Sequence, residues 1–100
     1  MSFLKKLLGL SSGKEEIKNA LEKGAKIIDV RSPSEFSGGN IKGSINIPLD
    51  QIGANIDKIK AYQKPIVLCC ASGMRSAQAT NQLKQKGVEA YNAGGWRNLN

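Results

Sequence analysis

Histidine is absent from this chain of 100 residues. Its absence excludes Ser–His and Cys–His catalytic pairs and every metal site that relies on imidazole. Cysteine is almost absent: the two present, Cys69 and Cys70, are adjacent. Neighbouring Cα atoms lie about 3.8 Å apart across a trans peptide, closer than the roughly 4.4–6.8 Å that a disulfide spans, so the pair is not a structural staple. Free thiols suit a reducing compartment, and the chain is expected to be cytoplasmic. Aromatic residues number five, and none is interleaved with a basic cluster. The net charge of +7 is spread over scattered lysines, among them Lys14, Lys18, Lys42, Lys60 and Lys84. Such a surface fits an anionic small substrate or an acidic partner better than nucleic acid, which is not expected as a partner. No apolar run approaches the roughly 20 residues of a membrane-spanning helix.

What remains is enough for one folded domain, with 40% apolar residues. Residues 1–13 read as a separate N-terminal segment and 14–100 as the domain. In that segment Phe3, Leu4, Leu7 and Leu8 share one helical face opposite Lys5 and Lys6. A membrane-surface or partner contact through residues 3–10 competes with a short segment capping the core. The second is preferred, because so short a helix anchors weakly. The same stretch is a poor match to a signal peptide, since lysines interrupt its apolar run and no small-residue cleavage site follows.

The elements alternate. Ser12 with Glu15 makes a capping-box pattern before a helix over about Lys14 to Lys23, stopped by Gly24. Lys26–Val30 reads as a short strand. Ser32, Pro33 and Glu35 open one helical turn, closed at Ser37-Gly38-Gly39. Ile45–Ile47 is a strand, and Ile52, Ile56 and Ile59 place a helix over about 49–60, weakened or broken at Gly53. Pro65–Cys70 is a buried strand, Ser76–Lys86 a helix with Ala79 and Leu83 inward, and Val88–Tyr91 the last strand, before a glycine turn at Gly94-Gly95-Trp96. This pattern predicts an α/β fold: a mostly parallel central sheet of four or five short strands, with helices on both faces.

The chemistry gathers at Cys70-Ala71-Ser72-Gly73-Met74-Arg75-Ser76. The cysteine closes a strand, where ligands bind in open parallel sheets. Small residues let the loop curl so that backbone N–H groups converge, and a helix N-terminus follows. With no histidine available, the loop donors, the helix and Arg75 must lower the thiol pKa. The expected product is an exposed thiolate beneath positive potential, suited to an anionic electrophile. Cys69 is most simply a core residue; a redox role in resolving an intermediate rests on adjacency alone. Asp29 and Arg31 read as structural support, an ion network at the surface being the plain alternative. Glu35 reads as a helix cap and Trp96 as core or edge packing. Lys42 is a solvated lysine or a group that steers anions.

The loop resembles the Cys-x-x-Gly-x-Arg loop of the rhodanese-like sulfurtransferases. Ile28-Asp29-Val30-Arg31 with Glu35-Phe36, the segment Gly39 to Pro48, and Gly94-Gly95-Trp96 are similar to three further motifs of that family, in the same order. The resemblance implies a single sulfurtransferase domain that carries sulfane sulfur as a persulfide on Cys70, without a metal or cofactor. It implies a small anionic sulfur donor (thiosulfate or a persulfide) and cyanide, a thiol or a protein as acceptor. Loop donors from Ala71, Ser72, Gly73, Met74 and Arg75 would hold the sulfur, with Asp29 and Arg31 supporting. A monomer is expected. Asn40 and Lys42 stand where the family usually has His and Pro, and no cation precedes Arg75 in the loop. Two other readings stay open. Counted from Cys69, five residues separate Cys and Arg75, the spacing of cysteine-dependent phosphatases. A non-catalytic interaction module would keep the fold without turnover.

Overall fold

The computed structural model describes residues 12–100; the reading of residues 3–10 lies outside them. Strands β1 (Lys26–Asp29), β2 (Ile45–Asn46), β3 (Ile66–Cys70) and β4 (Ala90–Gly95) form one parallel sheet in the order β2-β1-β3-β4. Helices α1 (Lys14–Glu22), α2 (Pro33–Ser37), α3 (Ile56–Ala61) and α4 (Met74–Gln85) occupy the connections, with 3-10 turns at Leu49–Gln51, Gly53–Asn55 and Trp96–Leu99. This is the α/β architecture the alternation predicts. No helix among the described residues is long and apolar enough to cross a membrane.

β3 is central because its residues Ile-Val-Leu-Cys-Cys can be buried on both faces, and all five are. Ile66, Leu68 and Cys70 join a cluster with Ile52, Ile59, Ala79 and Leu83. Alternation turns Val67 and Cys69 to the opposite face. There α1 packs against β3 and β4, with Ala20 buried. Each fully buried Ile or Leu of this core contributes about 1.5–3 kcal/mol. The strand order reverses between β1 and β3, so their carboxyl ends flank a crevice of the kind that takes ligands in such sheets. Asp29 and Cys69 face each other across that end of the ladder.

Four local expectations need correction. The cap of α1 is Gly13 with Glu16, whose Oε1 accepts from Gly13 N at 3.0 Å. Ser12 is instead claimed by β4, donating its N–H to Asn92 O at 3.0 Å and accepting Asn92 N on Oγ at 3.0 Å. The isoleucine-rich helix is broken near Gly53, one of the two expected outcomes, but its first half is two 3-10 turns and α3 begins only at Ile56. α4 starts two residues early, at Met74, because Gly73 turns the chain straight into it.

The largest difference is β4. Val88 is not in the strand: its N–H bonds Leu83 O at 3.0 Å and that of Gly87 bonds Lys84 O at 3.0 Å, a Schellman end to α4. The strand then runs on through Gly94 and Gly95, which pair with Cys69 and Cys70. An irregularity between Leu68 and Cys69 admits one extra residue in β4, with Gly94 at φ +82°. The predicted glycine turn is therefore strand. Its glycines are needed because the Cys70 loop lies against it: a Cβ on Gly95 would sit 3.0 Å from Ala71 O.

Candidate active site

β3 delivers Cys70 to the mouth of the crevice, and the chain turns back over it at once. Ala71 and Ser72 are exposed, Gly73 is buried, and α4 begins at Met74. Gly73 holds φ +103°, which favours glycine, and a Cβ there would lie 3.2 Å from Gly94 Cα. That curl points Gly73 N at Cys70 Sγ, at 2.9 Å, while Ser76 N in the first turn of α4 lies at 3.4 Å. The helix dipole adds to the donors.

Burial raises the pKa of the Cys70 thiol, but the Ser76 hydroxyl and the N–H groups of Ser76, Gly73 and Ser72 outweigh it. The thiol is held below its ordinary value of 9.0. The sulfur is fully buried, so the expected exposed thiolate is corrected: the donors that stabilise the anion also enclose it.

Ser76 is the contributor the sequence reading passed over. Its Oγ lies 3.4 Å from Cys70 Sγ, 2.6 Å from Asn92 Oδ1 and 3.2 Å from Gly73 O. A hydroxyl has one proton. At 2.6 Å that proton goes to Asn92, which leaves the oxygen lone pairs to accept from the thiol. Once the sulfur is ionised, turning the hydroxyl toward it makes a charge-assisted bond. Asn92, itself buried, also donates Nδ2 to Gly73 O at 3.2 Å and accepts Gly94 N at 2.9 Å. A buried asparagine in an apolar strand and a serine in the first helical turn after a cysteine are the signals that could have found this pair.

Arg75 is placed differently from the expectation. Its guanidinium reaches the Glu35 carboxylate with two bonds, at 2.7 and 3.1 Å. Arg75 thus ties the loop helix to α2, and its charge is shared with Glu35. Glu35 accepts Ser32 N on Oε1 at 3.0 Å and donates its own N–H to Ser32 Oγ at 3.3 Å, the predicted capping box, and its Oε1 also accepts Ser32 Oγ at 3.1 Å. The Arg75 bonds, with the Ser32 N–H next, pull the Glu35 carboxyl down to about 2. Met74, on the rim, is 68% exposed.

Asp29 and Arg31 are a buried pair, not a surface network. Arg31 Nη2 lies 2.8 Å from Asp29 Oδ2, and Arg31 donates onward to Glu35 O at 3.3 Å and Gly39 O at 2.6 Å. The guanidinium stacks on Trp96 with its carbon 4.6 Å from the ring centroid. The pair therefore holds the α2 turn, on which Glu35 stands, and bonds no residue of the 71–75 loop. Asn40 closes the same turn by donating Nδ2 to Phe36 O at 2.8 Å, and Lys42 is exposed. Cys69 faces away from the loop, and burial first, then Asp29, pushes its thiol up to about 12. Beside the loop a groove of about 1030 Å³ opens between α1 and β4, with Ser72, Gly73, Lys14 and Lys18 among its lining.

The model of the rhodanese-like domain matches residues 13–100. The chain belongs to the rhodanese-like family. This rhodanese-like chain is 43% identical over 72 residues to the uncharacterized protein YqhL of Bacillus subtilis, covering 71% of this chain and 56% of YqhL. It is 32% identical over 81 residues to the thiosulfate sulfurtransferase PspE of Escherichia coli, covering 72% and 71%. Among solved structures it matches the human single-domain sulfurtransferase TSTD1 with a TM-score of 0.70 at 29% identity, covering 90% and 94%. The chain spans about half of YqhL and only 15% and 35% of two further relatives. The family is one of sulfurtransferases, and donors and acceptors of sulfur are its general partners.

Proposed function

We propose that this rhodanese-like domain transfers sulfane sulfur through a persulfide on Cys70. The observation that carries the reading is the convergence of Gly73 N, Ser76 N and Ser76 Oγ on one sulfur atom, at 2.9, 3.4 and 3.4 Å. The Cys70 thiolate attacks the outer sulfur of thiosulfate. A new S–S bond forms on Cys70, the donor's S–S bond breaks, and its electron pair leaves with sulfite. The persulfide anion is stabilised by the donors that held the thiolate. Cyanide or a thiolate then takes the outer sulfur as thiocyanate or as a new persulfide, and Cys70 returns as thiolate. A persulfide donor enters by the same step, with a thiolate leaving.

The phosphatase register has no geometric support: Cys69 lies on the other face of the sheet, with its thiol pushed up to about 12. The test is intact mass after incubation with thiosulfate, for the wild type, Cys69→Ser and Cys70→Ser. The expected result is a gain of one sulfur atom that survives the first substitution and vanishes in the second. A sulfur gain retained by Cys70→Ser overturns the assignment, and no gain in any protein favours a non-catalytic module.

A further inference from the structure

The sequence offers one basic side chain in the sulfur-binding loop, Arg75, and the structure does not leave its charge free. The partner carboxylate, Glu35, is forty residues away in sequence and is held independently of Arg75. Its Oε1 accepts from Ser32 N and Ser32 Oγ at 3.0 and 3.1 Å. The turn beneath it is pinned by Arg31, through Glu35 O and Gly39 O at 3.3 and 2.6 Å. Both side chains lie at the surface, 37% and 38% exposed, but Glu35 is aimed at Arg75 by its own helix cap. The other ion pair at this edge, Asp29 with Arg31, is also neutral as a unit. What holds negative charge at Cys70 is then a ring of backbone dipoles and a hydroxyl. Such donors serve one anionic sulfur at hydrogen-bond distance and supply no free cation of the loop itself to a second charge farther out; Lys14 and Lys18 of the neighbouring groove stand outside the loop and are common to both donor classes.

We propose that Glu35 is a specificity determinant that, by neutralising Arg75, turns the site away from doubly charged sulfur donors and toward singly charged ones such as organic thiosulfonates and persulfides. The inference rests on sulfur transfer at Cys70. The bond changes are common to all these donors: the Cys70 thiolate takes the outer sulfur, and the electron pair of the donor's S–S bond leaves with the remainder. That remainder is sulfite from thiosulfate, methanesulfinate from methanethiosulfonate and a thiolate from an organic persulfide. Only the charge carried beyond the reacting sulfur differs.

The variant is Glu35→Gln, which keeps the capping pattern with Ser32 while removing the charge. The first readout does not need sulfur transfer: the rates at which iodoacetate, an anion, and iodoacetamide, its neutral analogue, alkylate Cys70. The iodoacetate-to-iodoacetamide ratio is expected to rise about two- to tenfold at low ionic strength, the range for one unit charge near a small site, and to shrink with salt. A merely loosened loop would change both rates together and leave the ratio in place. The second readout is kcat/KM for thiosulfate, a dianion, against methanethiosulfonate, a monoanion of similar shape; that ratio is expected to rise in parallel. Arg75→Gln, which leaves Glu35 unpaired, is expected to move both ratios the opposite way. An unchanged alkylation ratio in both variants overturns charge control by the pair. A changed alkylation ratio with an unchanged donor ratio overturns the role in specificity. Absence of any sulfur adduct on the wild type from either donor overturns the sulfur-transfer reading and the specificity role with it, while the alkylation ratio still reports the charge.

Discussion

The side chains of Cys69 and Cys70 leave β3 on opposite faces of the sheet, and neither has exposed surface. Burial alone would raise the pKa of both thiols. At Cys69 burial prevails: the nearby Asp29 carboxylate adds to the effect, Arg31 offsets only part of it, and the thiol rises to about 12. At Cys70 the direction reverses, because the chain folds back and aims the N–H groups of Ser72, Gly73 and Ser76 at the sulfur. The two positions show that depth is a poor guide to a thiol's character. What separates them is which backbone follows each side chain, and only Cys70 faces a loop with a glycine at its turn and a helix at its end.

The contrast can be broken most severely by removing the reactive thiol. Cys70→Ser with Cys69 intact is expected to lower thiosulfate-to-cyanide turnover by about a thousandfold or more, and turnover near wild type would mean that Cys69 can substitute. On the other face, Asp29→Ala leaves the buried Arg31 guanidinium without its partner. It is expected to cost about 3–5 kcal/mol in denaturant unfolding, as breaking a buried pair does. A loss within experimental error would show that the pair does not hold the α2 turn.

Alkaline titration probes Cys69 itself. Its folded-state pKa is raised from 9.0 to about 12, so the folded state keeps a proton that the unfolded chain releases. The stability this protects is full below pH 9 and is lost as pH rises toward 12, by an amount on the order of 2–4 kcal/mol. Tyr91, bonded to Glu89 and also raised to about 12, contributes to the same limb. The expected result is therefore a shallower alkaline slope in Cys69→Ala than in the wild type, and equal slopes would contradict the burial of a neutral thiol. The smallest effect lies on the acid side. Glu35 is lowered from 4.5 to about 2, so its contribution is present above pH 4.5 and is lost as pH falls toward 2. Urea unfolding across that window is expected to show a flatter pH dependence for Glu35→Gln, and an identical acid limb would place the Arg75–Glu35 contact outside the stability of the fold.

Much of this was legible in the chain because it is local. The buried strand ending in Cys70, the Ser32–Glu35 cap and the short turn after β1 follow from spacing within a few residues. What the sequence reading passed over depends on contacts between distant segments. Glu35 meets Arg75 across forty residues, and Asn92 reaches Ser76 from the neighbouring strand. Neither meeting leaves a periodic trace. By propensity alone Gly94 and Gly95 make a turn. Pairing with Cys69 and Cys70, and the need to let the loop approach, make them strand instead. The same donors imply a buried sulfur, not an exposed one: groups close enough to stabilise a sulfur anion also cover it.

The loop donors make Cys70 acidic while Cys69, its neighbour, stays a neutral core thiol. The most direct measurement is the rate of iodoacetamide labelling at each cysteine as a function of pH, resolved by peptide mass on the folded protein. Labelling of Cys70 is expected with a midpoint below the ordinary thiol value of 9.0, and no labelling of Cys69 until the protein unfolds. Labelling of both cysteines with a common midpoint at or above that value would contradict it.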